Sequence, residues 1–151
     1  MQLDQILRQQ HTRCRLTPAD KSAALDAVAQ LLAGADTGLD AATVAAGLAA
    51  RERLGSTGLG DGIAIPHCRL KAARHIAGAL ITLTEPIEFD AMDDEPVDIL
   101  FALIAPEDAA QAHLNTLAAL AERFSQASFR QQLRDAGDDS ALLDAALTFK
   151  L

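Results

Sequence analysis

Tryptophan and tyrosine are absent from the 151 residues, which include five phenylalanines, two cysteines and two methionines. With so few rings, the hydrophobic half of the chain must build its core mainly from Leu, Ile, Val and Ala. Two cysteines, Cys14 and Cys68, are too few for the disulfide framework of a small secreted domain and read as reduced thiols. Positive charge is also short: 13 Lys and Arg face 21 Asp and Glu, a formal net charge of −8. That balance argues against a nucleic-acid partner and against attraction to an anionic membrane surface. Long apolar runs are missing too. The longest, Ile99 to Ala105, falls far short of the roughly 20 residues a bilayer-crossing helix needs, so no membrane insertion is expected. The start, Met1-Gln2-Leu3-Asp4-Gln5, has no basic stretch leading into an apolar one, which speaks against a signal peptide and for a cytoplasmic protein.

What is present fits one domain over residues 1–151, long enough for a real core. Thr17-Pro18-Ala19-Asp20 predicts a helix start, with a capping hydroxyl, a proline at the first helical position and an acid in the first turn. Ala24, Val28, Leu31 and Leu32 keep helical spacing up to Gly34. A second helix opens at Asp40 and runs through Val44 and Leu48 to Leu54, before Gly55. Residues 55–62, with four glycines, read as loop. Ile63-Ala64-Ile65 is a short strand ended by Pro66. Ile76 to Thr84 and Val97 to Ala105 are further strands, the second buried, with a small extra one at Ile87-Glu88-Phe89. Asp108 opens a helix with His113, Leu117, Leu120 and Phe124 on one face, and two shorter helices follow around residues 128–134 and 140–147. The expected fold is α/β: a mixed β-sheet of about five strands with helices on both faces.

Only residues 51–70 ask for an explanation beyond packing. A loop so rich in glycine either makes a plain turn or aims successive N–H groups at an anion. It carries no Gly-Lys-Ser/Thr phosphate loop and no Gly-x-Gly-x-x-Gly, so no nucleotide cofactor is expected. His67 follows Pro66, whose fixed φ stiffens the chain leading to the imidazole. Near pH 7 a histidine of ordinary pKa is largely neutral, and one ring nitrogen is a nucleophile without a base to activate it. An isolated histidine here reads first as a hydrogen-bonded strand-end residue. His11, Cys14, His67 and Cys68 match no zinc spacing, so no metal site is expected. Arg53 turns to another side of its helix from Arg51 and reads as solvated.

The ordered string Arg51-Glu52-Arg53-Leu54-Gly55-Ser56-Thr57-Gly58-Leu59-Gly60-Asp61-Gly62-Ile63-Ala64-Ile65-Pro66-His67 is much more specific than any short motif. With Phe89-Asp90, the strand from Pro96 to Leu103 and His113-Leu114, it resembles the fructose/mannitol-type enzyme IIA domain of the bacterial phosphoenolpyruvate-dependent phosphotransferase system. Within that family it looks most like the nitrogen-regulatory branch. Cys68 departs from the pattern, where Gly or Ala is common, and Asp93-Asp94-Glu95 is unusually acidic.

The resemblance implies that His67 takes a phosphoryl group from the phosphohistidine of a small HPr-type carrier. It implies that Arg51 pairs with the phosphate and that His113 is the partner histidine. From the residues alone, Arg51 could instead stabilise a helix C-terminus, and His113 could be a satisfied core histidine. Regulatory members of the family use the phosphorylation state as a signal, here in nitrogen- or potassium-linked processes, whereas transport members pass the group to a cysteine of a IIB component. A module binding an anionic ligand without a covalent step is the reading from a different class. Leu59, Ile63 and Leu70 are the candidate apolar rim on which a carrier docks.

Overall fold

Three helices start where an aspartate oxygen accepts a backbone N–H that has no partner inside the helix. Asp20 takes Ala23 N–H at 2.9 Å and opens α1 (Lys21–Leu32), so the cap lies at Asp20 and not at Thr17-Pro18. Asp40 takes Thr43 N–H at 2.7 Å and opens α2 (Ala41–Glu52), as its position predicts. Asp138 takes Ala141 N–H at 2.7 Å for α5 (Asp139–Thr148). Between them, α3 (Ala110–Phe124) and α4 (Ala127–Asp135) begin without a capping side chain. The computed structural model describes residues 2–149.

Six strands form one mixed sheet: β1 (Leu7–Leu16), β2 (Gly58–Gly60), β3 (Ile63–Ala64), β4 (His67–Leu70), β5 (Ala77–Ile87) and β6 (Val97–Pro106). Their order is β1-β5-β6-β3-β2, with β4 also paired to β6. β5 and β6 are antiparallel, β1 runs parallel to β5, and β3 and β4 run parallel to β6.

Three strands lie outside the sequence expectation: β1, β2 and β4, the last of which resumes directly after Pro66, where the expected strand ends. β1 reads Leu-Arg-Gln-Gln-His-Thr-Arg-Cys-Arg-Leu, a polar run whose pairing with β5 shifts register twice, so no period-2 pattern survives. β2 lies inside the glycine-rich stretch expected to be loop: a tight turn with positive φ at Gly60, Asp61 and Gly62 folds it antiparallel onto β3. The expected extra strand at Ile87-Glu88-Phe89 does not form. Ile87 closes β5 opposite Val97, and Phe89 is buried in the connection that follows.

The sheet is covered on both faces. Ile81, Leu100, Ala102 and Ile104 pack with Val28 and Leu32 of α1 and Val44 and Leu48 of α2. Leu80, Ile99, Phe101 and Leu103 face the other way, against Leu120, Phe124, Phe129, Leu133 and Leu142 of α3 to α5. Four of the five phenylalanines gather on this second face, with ring centroids 4.8 to 6.3 Å apart from Phe101 through Phe124 and Phe129 to Phe149.

Candidate functional site

Pro66 interrupts a strand line without ending it. Ile63 lies opposite Ile99 and His67 opposite Leu103, so β3 and β4 keep one register along the same edge of β6. Proline has no N–H to give the ladder, but its carbonyl accepts Leu103 N–H at 2.8 Å. Ile65 turns aside, donating its N–H to Thr57 O at 3.0 Å, and its carbonyl meets the His67 ring. His67 Nδ1 lies 2.7 Å from that oxygen. A carbonyl only accepts, so Nδ1 carries the proton and Nε2 keeps the lone pair. His67 is half-buried. Burial, helped by the charge of Arg51, lowers its pKa below the ordinary histidine value, against the hydrogen bond to Ile65 and the charge of Glu52. The imidazole is therefore neutral at neutral pH.

The structure brings His113 beside it: the ring centroids are 5.5 Å apart and the planes tilted by 50°. His113 sits in the first turn of α3, 7 % exposed, on the side that faces the core, where its helical spacing predicts it. Its Nδ1 is buried without a hydrogen-bond partner. Burial, then the charges of His67 and Arg69, lower its pKa to about 4, so it too is neutral at pH 7. Arg51 occupies the last turn of α2 and donates from Nη1 to Gly55 O at 2.8 Å. It thus ties down the turn after its helix while its charge still reaches His67. Arg53 is exposed, in keeping with its place on another side of the helix.

Several residues around the site were not singled out from the sequence. Glu52 has only 9 % of its surface exposed, with its carboxylate 2.8 Å from Lys21 Nζ and accepting both the N–H and the hydroxyl of Thr57. Burial pushes its pKa up, but the bonds from Lys21 and Thr57 outweigh it and hold the carboxyl low. Lys21 also donates to Phe89 O at 3.0 Å and stands 4.5 Å over the Phe89 ring. Ser56 Oγ donates to the same carbonyl at 2.8 Å. This network fastens the glycine-rich segment to α1, α2 and the Phe89 connection. A charge next to two arginines in a helix reads as solvated. The one visible signal was that Glu52 and Thr57 stand five residues apart across a turn. Arg69 follows His67 by two positions on β4, which puts both on one face of the strand, and it anchors to Glu107 O at 2.9 Å.

The expected docking rim needs one correction. Ile63 is 1 % exposed, because it faces the α3 side of the core, and Leu70 is half-buried against α2. Leu59 is 46 % exposed, and Leu54 and Met92 stand out further at 84 % and 86 %. Cys68 packs on the α2 side of the sheet, and burial pushes its thiol up to about 11. Cys14 lies on the opposite side, its thiol donating to Ala136 O at 3.1 Å. Among the described residues no three His, Cys, Asp or Glu side chains converge as a metal site, and no helix is long and apolar enough to cross a membrane.

The pattern of the family described as "Phosphoenolpyruvate-dependent sugar phosphotransferase system, EIIA 2" matches residues 5–147. A nitrogen regulatory protein of Pseudomonas aeruginosa is 41% identical over 142 residues, covering 94% of this chain and 92% of its own. One from Klebsiella oxytoca is 39% identical over 145 residues, covering 95% and 89%. The crystal structure of the nitrogen regulatory protein IIA-Ntr from Neisseria meningitidis superposes with a TM-score of 0.89 at 37% identity, covering 95% of this chain and 98% of that one.

Proposed function

The chain belongs to the type-2 EIIA family of the phosphoenolpyruvate-dependent sugar phosphotransferase system, and from that premise we propose that it is a cytoplasmic phosphorelay regulator acting through His67. The whole chain works as one EIIA domain. Nε2 of His67 attacks the phosphorus of a phosphohistidine on an HPr-type carrier. The new N–P bond forms as the carrier's N–P bond breaks, and the carrier's imidazole keeps that electron pair. No base is required, because Nε2 has no proton to lose. The observation that carries this reading is the 2.7 Å contact from Nδ1 to Ile65 O, which fixes the ring and disperses the positive charge that grows on it.

Transfer through a loose transition state asks chiefly for alignment and charge stabilisation. Arg51 is the cation for the phosphoryl oxygens, and neutral His113 is a hydrogen-bonding partner beside them. Leu54, Leu59 and Met92, on the segments that surround the site, are the apolar contacts for the carrier. Phosphorylation then adds a localised charge to a protein already at −8, altering its contacts without refolding it. The message is read by target proteins in nitrogen- or potassium-linked processes, in line with the nitrogen regulatory relatives.

The test is incubation with phosphoenolpyruvate, enzyme I and an HPr-type carrier, followed by intact mass. The parent gains one acid-labile phosphoryl group and His67→Ala gains none; an unchanged parent leaves only non-covalent anion binding. The family's description names a sugar phosphotransferase system, which supports a second reading as the IIA partner of a IIB component. Transfer from the phosphorylated chain to a IIB cysteine, with sugar phosphate accumulating in reconstituted vesicles, would establish that reading instead.

A further inference from the structure

α2 is an alanine-rich helix, Ala-Ala-Thr-Val-Ala-Ala-Gly-Leu-Ala-Ala-Arg-Glu, with a glycine at its middle. Glycine is the poorest helix former after proline, and nothing in the backbone requires it here: α2 is unbroken and Gly47 is not among the residues with positive φ. The reason lies across the interface. A methyl group at position 47 would stand 2.9 Å from Cys68 Sγ and 2.8 Å from Leu70 Cδ2, both on β4. Those separations are about 1 Å shorter than atoms at rest tolerate.

The contact joins two elements at a telling place. Cys68 is the residue after His67. Arg51 follows Gly47 by four, one turn on and on the same face of α2, roughly 6 Å further along the axis. We infer that Gly47 is a positioning residue: its missing side chain lets α2 lie close on β4 and so holds Arg51 within reach of His67. Cys68 fills the space Gly47 leaves, and its buried thiol works there as packing. The inference rests on the roles proposed above for His67 and Arg51.

The test compares the full chain with its variants. Gly47→Ala forces α2 outward by up to about 1 Å, and misplacement on that scale costs between about 10- and 100-fold in transfer rate. Cys68→Ala alone transfers within about twofold of the parent, since it leaves the helix where it is. The double variant Gly47→Ala/Cys68→Ala recovers to within about threefold of the parent: without Sγ the new methyl meets Cys68 Cβ at 3.7 Å, an ordinary contact, and the end of half-exposed Leu70 can swing aside. If Gly47→Ala does not fold, Cys68→Leu presses on the same contact from the strand and carries the same expectation.

A second readout does not depend on phosphotransfer. By NMR, the His67 titration in Gly47→Ala moves in the direction that Arg51→Ala moves it, and Gly47→Ala adds nothing once Arg51 is gone. A Gly47→Ala protein with the parent's rate and titration overturns the inference, as does a double variant as slow as the single one. A parent that never becomes phosphorylated overturns the proposed function instead, while the titration still decides whether Gly47 places Arg51.

Discussion

His67 and His113 are both neutral imidazoles at pH 7, made so chiefly by burial, yet their environments differ. His67 has its Nδ1 proton committed to Ile65 O, whereas His113 keeps a buried Nδ1 without a partner. The consequence for stability follows from the sign of the shift. The folded state holds His113 at about 4, below its unfolded value, so the unfolded chain binds the proton first on acidification. Stability is full above about pH 6.5 and falls as the pH drops towards 4, by up to about 3 kcal/mol. Urea unfolding of the parent and of His113→Gln at several pH values checks this; the variant loses most of the slope between pH 6.5 and 4. Arg51→Ala is expected to slow phosphorylation of His67 on the order of 100-fold without moving the melting temperature by more than a few degrees. A rapid-quench assay with phosphorylated carrier measures it. His67 and Arg51 were visible in the sequence because they fall in one ordered string, and His113 because its helical spacing turns it inwards. Membership of the string alone gave Glu52 no role. Neither Glu52 nor Arg69 was visible, since what gives them meaning is burial and a carbonyl partner from distant segments.

At the scale of elements, the site depends on a strand line broken by Pro66 and on a glycine-rich segment fastened from behind. Lys21, Glu52 and Thr57 do the fastening, with Glu52 nearly out of solvent. Removing one partner of such a pair leaves an uncompensated charge and costs about 3 kcal/mol or more. Lys21→Met is therefore expected to destabilise the fold by that order in urea titrations, while Lys21→Met/Glu52→Gln recovers part of the loss. The helices and the two long central strands were legible because their apolar residues keep a period, or run without a break, and because Asp40 caps as its position suggests. β1 was hidden, since a polar edge strand with two register shifts has no period to detect. β2 was hidden for another reason: its glycines form a strand only because the turn at residues 60–62 folds them onto β3.

Across the whole molecule, the sheet separates two cores, and the side that holds α3 carries most of the aromatic mass. Phe129 is 1 % exposed between Phe124 and Phe149, so Phe129→Ala is expected to cost about 3–5 kcal/mol, measured as a fall in the urea midpoint. Leu54, Leu59 and Met92 are exposed apolar residues, and they bear on partners and not on folding. Leu59→Asp or Met92→Asp is expected to raise the KM for the phosphorylated carrier several-fold with kcat nearly unchanged, because docking is weakened and the chemistry is not. The layered α/β plan was legible from the order of elements. The exposure of Leu54 and Met92, and the burial of Ile63, needed the third dimension.

The central claim concerns one atom, Nε2 of His67. Protein labelled with 15N-histidine, phosphorylated by the carrier and observed by long-range proton–nitrogen NMR, reports which ring nitrogen bonds phosphorus. The expected result is nitrogen–phosphorus coupling at Nε2 of His67 alone, with Nδ1 still protonated. Coupling at Nδ1, at His113, or at no histidine would contradict it.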